Sequence, residues 1–338
     1  MFNEIISVEN IFAAWQDFRK GKRNRRDVCQ LEYTLENNIF RLPEQLFSGH
    51  YRHSKYWQFQ ITDPKLRLIS KAWVVDRLLH HAIHRILYPV FDKTFIFDSY
   101  SCRIGKGTHK AFDRLNQMIR KISRNHTRPC WVLKCDIRKF FDSVDHQILL
   151  NLLKERIDDP KLIQLLSTVI HSFEFAPGRG IPLGNLTSQL FANIYLDVLD
   201  KFVKHQLGVN HYIRYADDFV FLSDNPDDLM GYLVETNRFL KERLKLQIHP
   251  DKIILRKHVW GVDYVGYISL PKATLPRKRT VQRICQHLKK WIKSGDLESI
   301  AKAMPSYMGY LQHASSNTIQ SELKEIISYA TKPLEYPK

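Results

Sequence analysis

The sequence has few cysteines and no long apolar run. The first feature argues against a disulfide-stabilised protein, and the second argues against a membrane-spanning one. No apolar stretch approaches the length of a membrane span, and the N-terminus has no basic region followed by an apolar core and a cleavage site. The 5 cysteines show no CxxC spacing, which argues against a disulfide framework. We therefore expect a reducing, cytoplasmic setting and no membrane partner.

Several common catalytic motifs are also missing. The sequence contains no GxSxG, no Walker loop and no complete GxGxxG, so it lacks the signatures of a nucleophile elbow, a P-loop and a dinucleotide site. His80, His81 and His84 give an HxxxH spacing without an intervening glutamate. For these histidines a solvated or RNA-facing helix is preferred over a zinc site.

The charge of the chain is strongly basic. The sequence has 52 Lys and Arg against 35 Asp and Glu, a net charge of +17. Such an excess favours polyanionic partners, and without a membrane span nucleic acid is the favoured one. The densest basic run, 19–26, follows an apolar-periodic segment. It is either a phosphate contact or a solvated helix end.

Apolar patterning predicts the main elements of secondary structure. A buried strand covers 130–135, and Asp142 or Ser143 offers an N-cap for the helix that follows. Glycines at 178, 180 and 184 indicate a flexible loop. We predict amphipathic helices over 71–87, ending before Pro89, and over about 187–207. From Pro271 the pattern becomes basic and helical, with Pro271 and Pro276 at a lobe boundary.

An acidic pair supplies the clearest chemical signal. Asp217 and Asp218 lie between apolar runs that predict two short strands, so the pair is expected at a hairpin tip. Adjacent carboxylates repel each other, and a divalent cation relieves that repulsion. Asp136, at the end of another predicted strand, could converge on them. Three carboxylates can hold two Mg²⁺ ions for phosphoryl transfer, although a surface helix cap is the alternative role of Asp136.

An ordered series of motifs resembles the reverse transcriptases of the bacterial, group II intron-like superfamily. Alongside the acidic hairpin, the motifs are 67–69, 101–109 (SCRIGKGTH), 136–142 (DIRKFFD), 180–189 (GIPLGNLTSQ), 249–252 (HPDK) and 262–267 (VDYVGY). The tetrapeptide 215–218 (YADD) would be weak evidence by itself, whereas the whole series of motifs in this order is specific evidence for the resemblance.

The resemblance implies an α+β right-hand polymerase fold with fingers, a palm of antiparallel sheet with packed helices, and a helical thumb. The N-terminal region and fingers are expected over 1–130 and the palm over 131–270, with a fingers-proximal insertion around 146–180. The basic thumb is expected over 271–338.

The resemblance also assigns roles at the centre of the site. Asp136, Asp217 and Asp218 are implied to serve two Mg²⁺ ions, with Mn²⁺ as a substitute, and Ile137 is assigned to the same metal site. Lys252 corresponds to a lysine that protonates or stabilises the departing pyrophosphate, an exposed turn lysine being the alternative. Asp142 and Asp145 are interpreted instead as helix-capping residues.

Nucleotide-binding positions follow from the same motifs. Lys65 and Arg67 resemble residues that hold the triphosphate, and a guanidinium suits bidentate phosphate contact. Phe141 matches an aromatic residue that excludes a 2′-hydroxyl, with a core position beside Phe140 as the alternative. Leu183, Gly184 and Gln189 belong to the nucleotide-binding loop.

Contacts to nucleic acid are expected from three further segments. Arg103 and Lys106 either touch template or nucleotide or simply stabilise a turn. Tyr264 and Gly266 belong to a segment that resembles a primer-gripping hairpin, for which a buried β-turn is the alternative. In the basic C-terminal region, spacing close to helical is consistent with contacts to a duplex backbone from Arg277, Lys278, Arg279, Lys289 and Lys290.

The nucleotide-binding loop departs from the common intron pattern. Leu183 replaces a glutamine and Gln189 replaces a proline, a form that resembles reverse transcriptases of diversity-generating retroelements. That resemblance implies copying of a template RNA with errors at adenines, which serves mutagenic retrohoming, and a small, basic, oligomeric accessory protein. A bacterial, archaeal or phage source is expected. Retron or CRISPR-associated polymerases and a non-catalytic RNA-binding scaffold remain alternatives.

Overall fold

The computed structural model of the protein describes residues 1–63 and 65–331. Its α-helices are α1 (Phe2–Ile5), α2 (Val8–Arg19), α3 (Arg26–Tyr33), α4 (Leu35–Phe47), α5 (Val74–Asp92), α6 (Thr108–Ile122), α7 (Phe140–Ser143), α8 (His146–Lys154), α9 (Pro160–His171), α10 (Leu186–Lys201), α11 (Pro226–Leu244), α12 (Lys278–Ser294), α13 (Leu297–Gln312) and α14 (Asn317–Thr331). A π-helix, Phe202–Gln206, follows α10 directly, and 3₁₀ turns span Pro250–Lys252 and His258–Trp260. Among the described helices, none is long and apolar enough to cross a bilayer.

The strands form three sheets within the described residues. They are β1 (Trp57–Ile61), β2 (Arg67–Lys71), β3 (Trp131–Asp136), β4 (Tyr212–Tyr215), β5 (Asp218–Ser223), β6 (Ile254–Lys257), β7 (Val262–Tyr264), β8 (Tyr267–Leu270) and β9 (Ala273–Pro276). β1 and β2 pair antiparallel, a four-stranded sheet has the order β4-β5-β3-β6, and β7-β8-β9 form an antiparallel meander. In the four-stranded sheet, β3 pairs antiparallel with β6, with Leu133 opposite Leu255.

The chain divides into two compact units. The first comprises Met1–Ile104, Cys135–Phe219 and Gly231–Ile253. Within it α2 packs on α5, and α10 contacts both α5 and α8. α10 is buried on nearly every side, since every residue from Leu190 to Asp197 is buried. A helix that is buried around most of its circumference lies at the centre of a core, so α10 is the central helix of this unit.

The second unit comprises Gly105–Lys134, Val220–Met230 and the chain from Ile254 onward. Its helical part has a small core of its own, formed by Ile284, Leu288, Ile300, Leu311 and Leu323. Ile284 and Leu288 lie one turn apart on α12, so that helix turns one apolar stripe inward and leaves its basic side chains outward.

Two helix boundaries differ from the sequence prediction. α5 begins at Val74 rather than at Lys71, because Lys71 is the last residue of β2. It also continues through Pro89 to Asp92, since burial of Tyr88 and Phe91 favours the last turn despite the missing N–H. The predicted helix at 187–207 is confirmed as α10 and its π-helical continuation.

The N-cap of α8 is also corrected. The sequence offered Asp142 or Ser143, but both belong to the short helix α7. The cap is Asp145, whose side chain accepts a hydrogen bond from Ile148 N at 3.1 Å. The capping role expected of Asp145 is therefore confirmed.

The helical region begins later than the prolines suggested. Pro271 lies in the turn between β8 and β9, and Pro276 is the last residue of the edge strand β9. A proline is tolerated there because an edge strand leaves one side without ladder partners. The basic helix α12 starts at Lys278, so the segment between the two prolines is strand rather than helix.

Candidate active site

The segment after β3 is held by backbone hydrogen bonds on two sides. Ile137 N donates to Asp217 O at 3.2 Å, and Arg138 N donates to Gln247 O at 2.8 Å. Asp136 O accepts from His249 N at 2.8 Å. The end of β3 is thus fixed between the acidic hairpin and the chain that leads to Lys252.

The acidic pair lies at a two-residue turn, as the sequence predicted. Ala216 and Asp217 connect β4 to β5, and Asp218 is the first residue of β5. Ala216 has a φ of +53°, in the left-handed region that non-glycine residues seldom adopt. That conformation costs an alanine roughly 1–2 kcal/mol, so the surrounding structure must hold the turn in place.

Electrostatic interactions join four of the predicted site residues. Burial raises the pKa of the Asp217 carboxyl, and the neighbouring Asp136 carboxylate raises the pKa further. Lys252 and Arg67 act in the opposite direction on the same pKa. Lys252 Nζ donates to Asp136 Oδ1 at 2.5 Å. Two acidic and two basic side chains therefore share one site in the first unit.

The acidic residues have the chemistry of a Mg²⁺ or Mn²⁺ site. Asp136, Asp217 and Asp218 offer hard oxygen ligands. Burial raises the pKa of Asp217 most, the Asp136 carboxylate raises it further, and a bound cation would oppose both effects. Ile137 is 1% exposed with an apolar side chain, so only its backbone carbonyl could serve a cation. Among the described residues, no three His, Cys, Asp or Glu side chains are already arranged to hold an ion. Asp136 is paired with Lys252 instead.

The hairpin β1–β2 is fastened to the loop that carries Leu183 and Gly184. Ser70 N donates to Leu183 O at 3.1 Å, and Asn185 Nδ2 donates to Ser70 O at 2.7 Å. Asn185 Oδ1 in turn accepts from Ala72 N at 3.2 Å. Since Arg67 begins β2, these bonds fix the strand of Arg67 relative to the loop.

The other predicted nucleotide contacts are accessible to different degrees. Lys65, Arg67 and Gln189 are exposed, and Leu183 is half-buried. Phe140 is buried at 2% exposure, whereas Phe141 is half-buried with its ring 5.4 Å from that of Phe140. The core position is therefore taken by Phe140, whereas Phe141 remains partly accessible.

Arg103 has a structural set of partners. Its guanidinium pairs with Asp92 Oδ1 at 2.6 Å and donates to the carbonyls of Ile96 and Ser99, and its side chain is 8% exposed. This arrangement fits the turn-stabilising alternative rather than contact with nucleic acid. Lys106 is half-buried.

In the second unit, the turn between β7 and β8 is held by Tyr310 of α13 and by Arg277, the residue just before α12. Tyr310 Oη donates to Gly266 O at 2.6 Å, and Arg277 N donates to the same carbonyl at 3.2 Å. Tyr264 is fully buried, which fits the alternative of a buried β-turn. Arg277 also pairs with Asp263 through its side chain.

The remaining basic residues lie on the outside of α12. Lys278, Arg279, Lys289 and Lys290 are all exposed. At about 100° per residue, positions eleven apart fall within about 20° of each other around a helix. Lys278 therefore shares a face with Lys289, and Arg279 with Lys290, which gives two adjacent basic rows.

Comparison with known proteins identifies the family. The family model described as reverse transcriptase (RNA-dependent DNA polymerase) matches residues 61–269. The chain belongs to the reverse transcriptase family. The enzyme class expected from the sequence is thereby confirmed at the level of the family, and the matched range contains Arg67, Asp136, the acidic hairpin and Lys252.

Relatives of this reverse transcriptase include intron-encoded proteins. It is 25% identical to protein YkfC of Escherichia coli, over 73% of this chain and 74% of the relative. It is 28% identical to the group II intron-encoded protein LtrA of Lactococcus lactis, over 69% of this chain and 49% of LtrA. It is 23% identical to a putative COX1/OXI3 intron 2 protein of Saccharomyces cerevisiae, over 78% of this chain and 37% of that protein. The chain thus spans about half or less of the latter two.

A solved structure supports the fold. The telomerase of Candida albicans, determined with a fragment of telomeric RNA, matches with a TM-score of 0.52 at 12% identity, over 83% of this chain and 55% of that chain. The reverse transcriptase has the α+β, right-hand polymerase fold expected from the sequence.

Sequence reasoning overlooked two groups that shape the site. Asn185 joins the loop to β2, although it was noticed only as part of a motif. Arg214 and Asp200 form a fully buried ion pair, with Arg214 Nη2 2.6 Å from Asp200 Oδ2. The available signal was a lone arginine inside the apolar strand that leads into the turn, together with an aspartate on the buried helix α10.

Proposed function

We propose that this reverse transcriptase copies a template RNA into cDNA by two-metal nucleotidyl transfer, with deoxynucleoside triphosphates as substrates. The observation that carries the proposal is the joint position of Asp136, Asp217 and Lys252. Ile137 N is bonded to the acidic turn, and Lys252 is bonded to Asp136. Carboxylates and a proton donor next to each other are the groups that an in-line phosphoryl transfer requires.

Asp136, Asp217 and Asp218 would hold the cations, with the backbone carbonyl of Ile137 beside them. When bound, two Mg²⁺ or Mn²⁺ ions activate the attacking hydroxyl and neutralise charge on the leaving group. The raised pKa of Asp217, caused first by burial and then by the Asp136 carboxylate, supports this assignment, because a cation would stabilise the ionised Asp217 and relieve its repulsion with Asp136.

The side chains around the acidic turn have different roles in binding the nucleotide and in its reaction. Arg67 binds the triphosphate together with Lys65, and the electrostatic action of Arg67 on Asp217 supports its place beside the reacting phosphates. Phe141, which is half-buried, blocks the space of a 2′-hydroxyl with its ring. Lys252 donates a proton to, or stabilises, the departing pyrophosphate.

The basic rows of α12 bind the backbone of the primer–template duplex, since exposed lysines and arginines at helical spacing neutralise phosphates without reading sequence. In this proposal the fingers span 1–130, the palm 131–270 and the thumb 271–338. Part of the thumb range, 332–338, lies outside the described residues.

Primer extension tests the proposal. The purified protein is given an RNA template, a DNA primer, Mg²⁺ and deoxynucleotides, and Asp217→Asn is compared with the matched surface variant Asp227→Asn. We expect Asp217→Asn to abolish extension and Asp227→Asn to leave it unchanged. Undiminished synthesis by Asp217→Asn would refute the site.

The finer role is mutagenic copying within a diversity-generating retroelement, with a small, basic, oligomeric accessory protein in a cytoplasmic setting. Leu183 supports it: its side chain has no hydrogen-bond donor, although its backbone is fixed against β2. A glutamine there could fix the sugar of the nucleotide, so leucine should weaken discrimination between nucleotides.

Sequencing the cDNA tests this role. We expect frequent errors at template adenines with wild type, fewer with Leu183→Gln, and no change with the apolar control Leu183→Met. Equal adenine errors in all three proteins remove Leu183 from the explanation. Faithful copying by wild type favours the retron or CRISPR-associated alternatives.

A further inference from the structure

Behind the acidic turn, one buried arginine has an acceptor for every donor. Arg214 and Asp200 are both fully buried. Arg214 Nε lies 2.8 Å from Asp200 Oδ1 and Nη2 lies 2.6 Å from Oδ2. Nη2 also donates to Ser99 Oγ at 3.1 Å, and Nη1 donates to Asn193 Oδ1 at 3.4 Å. With the bond described next, all five guanidinium donors are used.

The remaining donor reaches the turn itself. Arg214 Nη1 donates to Ala216 O at 2.9 Å. Ala216 is the residue with the left-handed φ of +53°, and its carbonyl belongs to the peptide that leads into Asp217. The hydrogen bond therefore restrains the orientation of the peptide immediately before the acidic pair.

The arginine is itself held by a rigid frame. Tyr212 Oη donates to Asp200 Oδ1 at 2.8 Å, and Asp200 lies on the buried helix α10. The backbone of Arg214 is bonded on both sides, from its N to Asp98 O at 2.9 Å and from Tyr100 N to its O at 3.0 Å. The guanidinium is consequently fixed against the core of the first unit rather than against the turn alone.

A buried ion pair is a poor device for stability alone. Removing two charges from water offsets much of their attraction, and apolar replacements of similar volume are often as stable. A guanidinium is planar and can donate hydrogen bonds to a carboxylate along one edge and to a turn carbonyl along the other. An apolar pair cannot replace this function.

We propose that Arg214, oriented by Asp200, is a positioning residue that fixes the Ala216–Asp217 turn so that Asp217 and Asp218 are arranged to bind the catalytic cations. This inference rests on the proposed function of the acidic pair. Arg214 does not touch substrate, and it acts through the backbone of the turn.

Arg214→Lys tests the inference, because lysine keeps the charge beside Asp200 but cannot bond Asp200 and Ala216 O with one planar group. The matched control is Arg77→Lys on α5, where Arg77 pairs with Asp27 away from the turn. Four quantities are measured on the full chain: the half-saturating Mg²⁺ concentration, kcat, the KM for deoxynucleotide, and the shift of melting temperature on addition of Mg²⁺.

For Arg214→Lys we expect the half-saturating Mg²⁺ concentration to rise about tenfold, the size associated with loss of a hydrogen bond from a charged donor. The Mg²⁺-induced shift of Tm should shrink, and the KM for deoxynucleotide should stay near the wild-type value. Arg77→Lys should match wild type in its Mg²⁺ dependence. A folded Arg214→Lys with wild-type Mg²⁺ dependence overturns the inference, as does a loss of kcat and Tm at an unchanged Mg²⁺ requirement.

If Arg214→Lys does not fold, Tyr212→Phe decides the matter, since it removes only one bond to Asp200. It should raise the Mg²⁺ requirement about threefold, and a wild-type requirement counts against the inference. Undiminished synthesis by Asp217→Asn would instead defeat the proposed function, so the two failures are distinguishable.

Discussion

The Lys252 ammonium lies 2.5 Å from the Asp136 carboxylate, across 116 residues of sequence. The link depends on the backbone, because Asp136 O accepts from His249 N just before the 3₁₀ turn Pro250–Lys252. An ammonium in contact with a proposed metal ligand is placed to respond when charge develops on the phosphates.

Replacement of Lys252 should therefore slow chemistry more than binding. We expect Lys252→Gln to lower the single-turnover rate of nucleotide addition about 100-fold, the lower range for loss of a general acid. Lys252→Arg separates two roles, since arginine keeps the charge but does not give up a proton near neutral pH. Recovery in Lys252→Arg indicates electrostatic stabilisation, and the exposed-surface control Lys241→Gln should behave as wild type. An unchanged rate in Lys252→Gln contradicts the assignment.

Arg67 should govern affinity for the nucleotide. Arg67→Ala is expected to raise the KM for deoxynucleotide about 10- to 100-fold, because charge-assisted bonds to the triphosphate are lost. Arg67→Lys should give an intermediate KM, since a point charge replaces a bidentate fork. Steady-state kinetics on one primer–template measures both, and a KM equal to wild type in Arg67→Ala excludes the triphosphate role.

Phe141 should determine the preference for the sugar. Phe141→Ala opens space beside the nucleotide, so we expect incorporation of ribonucleotides relative to deoxynucleotides to rise at least about tenfold. Phe141→Tyr retains the ring and serves as the control. The measurement compares kcat/KM for GTP and dGTP opposite the same template base. An equal ratio in wild type and Phe141→Ala shows that another group excludes the 2′-hydroxyl.

Local patterns predicted the parts of the site that are local in sequence. The strands around Asp217 were visible because apolar runs flank the acidic pair, and β3 was visible as a buried run ending at Asp136. The contact of Arg214 with Ser99 was not, because it joins residues 115 positions apart. Contacts between residues so far apart in sequence depend on how the strands and helices pack together. Apolar periodicity predicts the individual elements but not their packing.

The start of the basic helix was predicted too early for a different reason. The helical pattern was expected from Pro271 onward, yet Pro271 lies in the turn before β9 and Pro276 ends that strand. A proline lacks the backbone N–H and has a fixed φ. An edge strand and a linker both accommodate these two properties, so a proline alone does not distinguish between them.

Gly184 should be intolerant of any side chain. Its φ is +113°, and an added Cβ would lie 2.9 Å from Ile69 Cγ2. We expect Gly184→Ala to lower the free energy of unfolding by about 1–3 kcal/mol and to raise the KM for nucleotide, since relief of the clash displaces β2 and Arg67. Gly208→Ala is the matched control, because its φ is +66° and nothing lies within 4 Å of an added Cβ. Equal losses of stability and unchanged KM values in both variants contradict the role of the clash.

Asp197 should make stability depend on pH in a direction unusual for an aspartate. Burial raises its pKa to about 6, against the lowering effect of Lys201, which bonds Asp197 Oδ2. Nearby Asp200 raises the same pKa and Arg214 lowers it. Oδ1 is buried and accepts no hydrogen bond within the described residues. Because the folded pKa exceeds the unfolded value near 3.8, the folded state binds the proton more tightly.

This contribution to stability is complete below about pH 4 and is lost as pH rises through about 6. Asp197→Asn removes the titration, so the variant should gain stability relative to wild type across that window, by at most about 3 kcal/mol at neutral pH. Denaturant unfolding of both proteins at several pH values from 4 to 8 measures the difference. Subtraction of the two curves cancels the other titrating groups, which behave alike in both proteins. A difference that stays flat with pH, or that falls as pH rises, shows that Lys201 compensates the charge of Asp197 fully.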